Sequence, residues 1–349
     1  MALTKTQEAM ITRVCAVGGG ELGVKLDDET CCYLLAVIAS DLGLSKVVSA
    51  PKRLPAFFGS EPLGDLRLPG RDFRGMFESL TAARPDADAY FFCLASLHKA
   101  RLKYERILRS QPLPTIDQVG PRGLLQYGQM SPSALASLLI WRKWVFDIDN
   151  RAAQETGYIF EPIIAYSIGG VSVSARRSPV RRGGAGEGRQ VDCLVESKKH
   201  AYEIKLRVTI AASGQGRWQE ELDFPSDCKK SGYTPILVVL DPTGNPKLTE
   251  LRRAFRAQGG KSYVGEDAWA HLEGSAGKTM GAFLEKYVRR TIQTLLTDTP
   301  NALPTFALKI ADETLTISVG NEEFKITRAP NNACGAAEAA WRGNGDPRN

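Results

Sequence analysis

Residues 189–209 read RQVDCLVESKKHAYEIKLRVT, and this stretch decides the fold of the 349-residue chain. Two apolar runs, 191–195 and 202–208, flank a polar segment, SKKH, at residues 197–200. Apolar runs separated by a short polar segment are typical of a β-hairpin. The sequence therefore predicts two consecutive antiparallel strands here.

The hairpin carries two acids and a lysine that can meet on one face. Glu203 and Lys205 are two residues apart, so the period of a strand points them to the same side. Asp192 lies early in the first strand and can join them. Carboxylates bind Mg²⁺ while leaving positions for water and phosphate oxygens, and a nearby lysine can orient and help deprotonate an attacking water. The alternative is a surface hairpin whose charged side chains are only solvated, because such a hairpin would have the same residue spacing.

A second Glu-x-Lys pattern lies in the same stretch, at Glu196 and Lys198. Residues 197–199 have the composition of a turn, whereas Glu203 and Lys205 are embedded among apolar strand residues. Glu203 and Lys205 are therefore the predicted catalytic pair.

Composition places the chain among ordinary soluble globular proteins, with 43% hydrophobic and 24% charged residues and a net charge of +6. Its seven cysteines are odd in number and form no Cys-x-x-Cys pair, which favours a reducing cytoplasm. No apolar run approaches the length of a spanning helix, and the first ten residues do not resemble a secretion signal. We therefore expect no membrane partner. A Gly-x-Gly-x-x-Gly pattern at residues 18–23 lacks a helix that opens on its third glycine, so we expect no nucleotide cofactor site.

A further acid precedes the hairpin. Apolar spacing predicts a helix that opens at Ser131 and a second helix over residues 152–168, which carries Glu161. Phe160, Ile163 and other apolar residues surround this carboxylate, which is costly unless the acid is paired or near a metal. The alternative is that Glu161 lies at the solvent-exposed edge of the helix and has no such partner.

A basic loop at residues 174–189 joins the second helix to the first strand of the hairpin. Its arginines and glycines predict a mobile loop that follows a polyphosphate, with a basic loop that has no partner as the alternative. Gln215 and Arg217, just beyond the hairpin, suit adenine and guanine edges respectively. The candidate DNA-binding residues are therefore Arg176, Arg177, Arg181, Arg182, Arg189, Gln215 and Arg217.

The rest of the chain predicts an α/β fold, in which a mixed central sheet is flanked by helices. A buried strand follows at 235–240, and residues 304–328 alternate like two or three strands. The predicted domains are a mostly helical N-terminal region at 1–130, a core at 131–300, a C-terminal β segment at 301–328 and a disordered tail at 329–349.

A helix with Glu161, strands with Asp192 and with Glu203-Ile-Lys205, a helix and a buried strand together resemble the PD-(D/E)XK nuclease superfamily over about residues 151–241. The resemblance implies that Asp192, Glu203 and Glu161 ligate Mg²⁺ and that Lys205 acts on the water. Val191 stands where the name of the motif has proline. That position does not take part in the chemistry.

The run YEIKLRVTIAASGQGRW at 202–218, with LVVLDPT further on, is similar to the ApaLI-like type II restriction endonucleases. This resemblance implies Mg²⁺-dependent double-strand cleavage of a palindrome in double-stranded DNA, GTGCAC in the family's namesake, by a homodimer. It also implies a separately encoded DNA methyltransferase and a prokaryotic cytoplasm.

Two alternatives stay open, a DNA repair or junction nuclease of the same fold and a non-cleaving, sequence-specific DNA-binding protein. The presence of Asp192, Glu203 and Lys205 together favours cleavage, and the long region ahead of the core favours a restriction enzyme.

Overall fold

The structure is a computed structural model that describes residues 3–17, 22–206, 208 and 215–329, with the backbone alone at residues 157, 158 and 215–217. The chain forms two compact units. The first has the bounds Met1–Val17, Lys25–Lys99 and Gly157–Asp298, and the second Gly18–Val24, Ala100–Thr156 and Thr299–Asn349. The predicted domains follow the chain in order, whereas these two units interleave.

The first unit begins with helices. These are α1 (Lys5–Cys15), α2 (Asp28–Asp41) and α3 (Phe73–Ala83), followed by α4 (Ala87–Ser110), which contributes residues to both units. The Asp27 side chain accepts a hydrogen bond from the Thr30 amide at 2.8 Å and so caps the start of α2. Every residue of α2 from Thr30 to Ala39 is buried, so α2 is an interior helix of this unit.

A mixed five-stranded sheet forms the rest of the first unit. Its strands are β1 (Val171–Val173), β2 (Val191–Val195), β3 (His200–Lys205), β4 (Thr234–Val239) and β5 (Lys261–Val264), hydrogen-bonded in that order. β1, β2 and β3 are antiparallel, and β3, β4 and β5 are parallel. The predicted hairpin and the predicted mixed sheet are therefore confirmed.

Helices accompany the parallel half of this sheet. They are α7 (Gln215–Lys230), α8 (Pro246–Ala257) and α9 (Glu266–Phe283), followed by a π-helical turn (Leu284–Arg289) and α10 (Arg290–Thr297). Parallel neighbours such as β3 and β4 need a crossover connection, and α7 provides it. The shared core includes Ala201, Leu237, Val239, Phe224, Cys228, Leu251 and Phe255. This core sets α7 and α8 against the face of β3 that carries Ala201.

One continuous helix, α6 (Pro132–Ser167), replaces the two predicted helices. It opens where predicted, because Ser131 Oγ accepts a hydrogen bond from the Ala134 amide at 3.3 Å. Pro162 lies inside the helix, and a proline in a helix interior costs about 3 kcal/mol. From the sequence alone, such a residue predicts an interruption of the helix. Residues of α6 up to Thr156 belong to the second unit, and those from Gly157, including Glu161, to the first.

The second unit contains the short helix α5 (Ile116–Val119) and an antiparallel sheet of β6 (Phe306–Ala311), β7 (Thr314–Val319) and β8 (Glu322–Thr327). The strands predicted within residues 304–328 are thus confirmed. Its core includes Trp144, Ile148, Leu315 and Ile326. Trp144 also donates its ring N–H to the Gln111 carbonyl at 3.2 Å, which satisfies the polar edge of a buried indole.

Three expectations concern the chain as a whole. No helix among the described residues is long and apolar enough to cross a membrane. The six cysteines in this part of the chain are free thiols. The tail predicted to be disordered lies outside the described residues, apart from Ala329.

Candidate active site

Three elements of the first unit supply the predicted catalytic residues. Glu161 lies on α6, Asp192 on β2, and Glu203 and Lys205 on β3. Leu194 of β2 pairs with Ala201 of β3, and directly paired residues share a face of a sheet. The two-residue period extends that face to Asp192, Glu203 and Lys205. The three side chains therefore project on the side that α7 covers.

Lys205 is held between two carboxylates. Its Nζ lies 3.0 Å from Glu203 Oε1 and 3.3 Å from Glu221 Oε2, a residue of α7. Burial alone lowers the pKa of Lys205, but the charges of Glu203 and Glu221 outweigh it and raise that pKa above its ordinary value. Lys205 is therefore an ammonium at neutral pH and acts as a hydrogen-bond donor.

The acids concentrate negative charge in a buried place. Asp192 is buried, and its Oδ2 accepts a hydrogen bond from the Ile204 amide at 2.8 Å. Burial, followed by the charges of Glu203 and Glu161, raises the pKa of Asp192 well above its usual range. Burial and then Glu203 also raise the pKa of Glu161. The three carboxylates are thus close enough for their charges to oppose one another.

The chemistry of this donor set fits a hard divalent cation. Carboxylate oxygens are the ligands that Mg²⁺ prefers, and a buried excess of negative charge is relieved when such an ion binds. Within residues 3–17, 22–206, 208 and 215–329, no three acidic, histidine or cysteine side chains are already arranged as a metal-binding group. The ammonium of Lys205 instead contacts Glu203. The residues therefore fit Mg²⁺ in kind, and Glu203 would exchange its lysine contact for the ion.

The competing Glu-x-Lys pattern lies at the far end of the hairpin. Glu196 begins a 3₁₀ turn that ends at Lys198. The exposed Glu196 carboxylate pairs with Lys199 and accepts a hydrogen bond from the Tyr233 hydroxyl at 2.8 Å. These contacts support the choice of Glu203 and Lys205 as the catalytic pair.

Comparison with known proteins decides the family. The model of the ApaLI-like restriction endonuclease family matches residues 70–289. The type II restriction enzyme ApaLI of Acetobacter pasteurianus is 50% identical over 272 residues, which are 74% of this chain and 72% of that protein. The chain belongs to the ApaLI-like restriction endonuclease family. No solved structure matches it.

Membership in the ApaLI-like family confirms the resemblance found in the sequence. It makes the protein a type II restriction endonuclease and a site-specific deoxyribonuclease. Of the readings that the sequence left open, membership therefore favours this one over the repair nuclease and the non-cleaving DNA-binding protein.

The basic loop at residues 174–189, called the arginine loop from here on, makes hydrogen bonds to α7 and to Ser231 just after it. The Gly183 amide donates to Asp227 Oδ1 at 2.7 Å, and the Arg181 amide donates to Ser231 Oγ at 2.9 Å. A Cβ at Gly188 would lie 1.9 Å from the Ala175 carbonyl oxygen, so the loop also packs tightly on itself. Its exposed arginines are Arg176, Arg177, Arg181 and Arg182.

Arg189 differs from the other loop arginines because it is buried. Its Nη1 lies 2.6 Å from Asp227 Oδ2, and its Nη2 donates to the Glu220 carbonyl. The guanidinium also lies over the Phe224 ring, 5.5 Å from the centroid. These partners and its burial make Arg189 an anchor of the loop. Contact between Arg189 and DNA stays a prediction.

Breaking the Arg189–Asp227 pair is expected to destabilise the protein strongly. Asp227→Ala would leave a buried guanidinium without its partner and should lower the free energy of unfolding by about 3–5 kcal/mol. Urea unfolding followed by tryptophan fluorescence measures this change. The double variant Arg189→Met/Asp227→Leu should recover most of the loss, since two apolar side chains leave no unpaired charge. An unchanged stability of Asp227→Ala would contradict the anchoring role.

Two predicted DNA-binding residues, Gln215 and Arg217, begin α7. Their side chains lie outside the described residues, so their reach toward DNA stays a prediction.

Glu221 is a residue of this site that the sequence analysis missed. It lies three positions after Trp218 on α7, and residues three apart share a face of a helix. Trp218 is half-buried against the core of the first unit. The sequence could therefore have indicated Glu221, as an acid on the inward face of the helix that follows the Glu-x-Lys strand.

Proposed function

We propose that this restriction endonuclease has a PD-(D/E)XK core and makes Mg²⁺-dependent double-strand cuts at a short palindrome. The observation that carries the proposal is the single sheet face that holds Asp192, Glu203 and Lys205, and the charge of Glu161 helps to raise the pKa of Asp192. The order of helix, antiparallel strand pair, crossover helix and parallel strand supports the core. The resemblance to the family's namesake makes GTGCAC the first sequence to test.

The side chains divide the proposed chemistry between them. Asp192, Glu203 and Glu161 would hold Mg²⁺, which when bound supplies positive charge at the scissile phosphate and makes water a better nucleophile. Lys205 donates a hydrogen bond to the attacking water and orients it toward phosphorus. The Ile204 amide fixes Asp192 through its bond to Oδ2, so the carboxylate is oriented before substrate arrives.

Incubation with plasmid DNA tests the proposal. The protein is expected to linearise a plasmid that carries GTGCAC once when Mg²⁺ is present, and to leave it intact with a chelator. Sequencing of the ends gives the recognised bases and the cleavage position. Mg²⁺-independent cutting, or cutting at unrelated positions, would overturn the proposal.

The proposal includes a homodimer, because a two-fold axis brings one active site to each strand of a palindrome. Sedimentation of the protein with and without the duplex measures this state. We further propose that the enzyme works in the cytoplasm of a prokaryote, where a separately encoded methyltransferase protects the host's own sites.

Two arginines are expected to affect DNA binding in different ways. Arg217, which suits guanine, should read a base, so that Arg217→Ala lowers specific binding by about 1–3 kcal/mol. Exposed Arg181 should contact phosphate, so that Arg181→Ala weakens binding to all duplexes alike. The plot of log affinity against log salt concentration should become less steep by about 0.9. Binding to cognate and scrambled duplexes at several salt concentrations separates the two effects. The reverse pattern would move base reading to the arginine loop.

A further inference from the structure

The Lys205 ammonium has two carboxylate partners that come from different parts of the fold. Glu203 belongs to the same strand, whereas Glu221 belongs to α7. The side chains of Lys205, Glu203 and Glu221 are 18%, 18% and 23% exposed, so water screens these contacts less than it screens a surface ion pair. An ammonium has three donors, so it can contact both carboxylates and still donate to a water molecule or a phosphate oxygen.

The two partners are not equivalent once the proposed cation is considered. A Glu203 carboxylate that binds Mg²⁺ has less negative charge to offer Lys205, and the ion itself repels the ammonium. Glu221 contacts Lys205 from the helix side, so it can keep the ammonium in place through that exchange. We propose that Glu221 is a positioning residue that holds Lys205 beside the attacking water. This inference rests on the proposed function.

α7 is anchored well enough for this role. Phe224 and Cys228 of α7 are packed in the core of the first unit. Asp227, which lies between these two residues in the sequence, binds both the Arg189 guanidinium and the Gly183 amide. Glu220, next to Glu221, pairs instead with Arg182 at 3.0 Å. Adjacent acids of one helix thus contact different partners, Arg182 for Glu220 and the catalytic lysine for Glu221.

The test compares Glu221→Gln with a matched control on the same helix. Asp223→Asn also removes one negative charge from α7, but Asp223 is exposed and pairs with Gln219. Glu221→Gln is expected to lower the single-turnover cleavage rate about 10- to 100-fold, as loss of a supporting contact does. The KM for DNA, the Mg²⁺ affinity measured by calorimetry and the melting temperature should stay close to those of Asp223→Asn. Glu221→Asp, which keeps the charge, should recover part of the rate.

Other results overturn the inference in distinguishable ways. A cleavage rate of Glu221→Gln equal to that of Asp223→Asn would remove Glu221 from the mechanism. A weakened Mg²⁺ affinity in calorimetry would make Glu221 a ligand of the ion, and a lower melting temperature with an unchanged rate would make it structural. If the unchanged protein shows no Mg²⁺-dependent cleavage, the proposed function fails and this inference fails with it.

Discussion

Lys205→Ala is expected to abolish cleavage while leaving specific DNA binding intact. Positioned proton donors and acceptors contribute about 10²- to 10⁴-fold to a rate, and Lys205 is the one cation that contacts the acids of this site among the described residues. Its ammonium contacts Glu203 and Glu221, which are acids and are not among the candidate DNA-binding residues. Loss of Lys205 should therefore affect the reacting water and not the recognition of bases.

Cleavage and binding must be measured separately for this variant. Single-turnover cleavage of a cognate duplex in Mg²⁺ reports the chemical step, and a gel-shift titration in Ca²⁺ reports binding. Lys198→Ala and Glu196→Gln are the matched controls, because they alter the Glu-x-Lys pattern in the turn, where Glu196 contacts Lys199 and Tyr233. Full-rate cutting by Lys205→Ala, with loss of activity in either control, would show that the other pair is catalytic.

The part of the site that lies on the hairpin could be predicted from the sequence because strands repeat every two residues. Glu203 and Lys205 share a face for that reason alone, and the short turn at 197–199 fixes which residues of β2 and β3 oppose each other. Strand patterning also predicted the buried β4 and the C-terminal strands β6 to β8. These features depend on residues that are close in the sequence, so the sequence pattern predicts them.

The features that were missed depend on distant contacts. In the sequence, Arg189 and Arg181 belong to the same basic loop, and contacts with Asp227, Glu220 and Phe224 of α7 distinguish the buried anchor from the exposed cation. Glu221 meets Lys205 only because α7 crosses over from β3 to β4. The uninterrupted α6 also differs from the prediction, since the helix continues through Pro162 despite the helix-breaking tendency of proline.

Asp192→Asn is expected to reduce cleavage at least about a thousandfold, because a direct ligand contributes several kcal/mol of charge stabilisation and each 1.4 kcal/mol is about tenfold. Glu161→Gln should have the smaller effect, about 10- to 100-fold, if this acid acts through a water molecule of the ion. The positions support that order. Asp192 lies on the strand beside Glu203 and is fixed by the Ile204 amide, whereas Glu161 projects from α6.

The dependence on metal concentration decides between the two roles. Cleavage by each variant is measured over a range of Mg²⁺ concentrations, with duplex binding in Ca²⁺ as the control for recognition. Glu161→Gln should recover part of its rate as Mg²⁺ rises, while Asp192→Asn should recover little. Equal losses in the two variants, both rescued by more Mg²⁺, would make Glu161 a direct ligand.

Melting without metal gives an independent measurement on the same variants. Asparagine keeps an oxygen that can accept the Ile204 hydrogen bond, but it removes one of three carboxylates whose charges oppose one another. Asp192→Asn should therefore melt at a higher temperature than the unchanged protein when no divalent ion is present. The variant should lose that advantage when Mg²⁺ is added, because an ion that binds the native state of the unchanged protein stabilises it. A lower melting temperature in both conditions would show that Asp192 supports the fold, and its loss of cleavage would then say nothing about the metal.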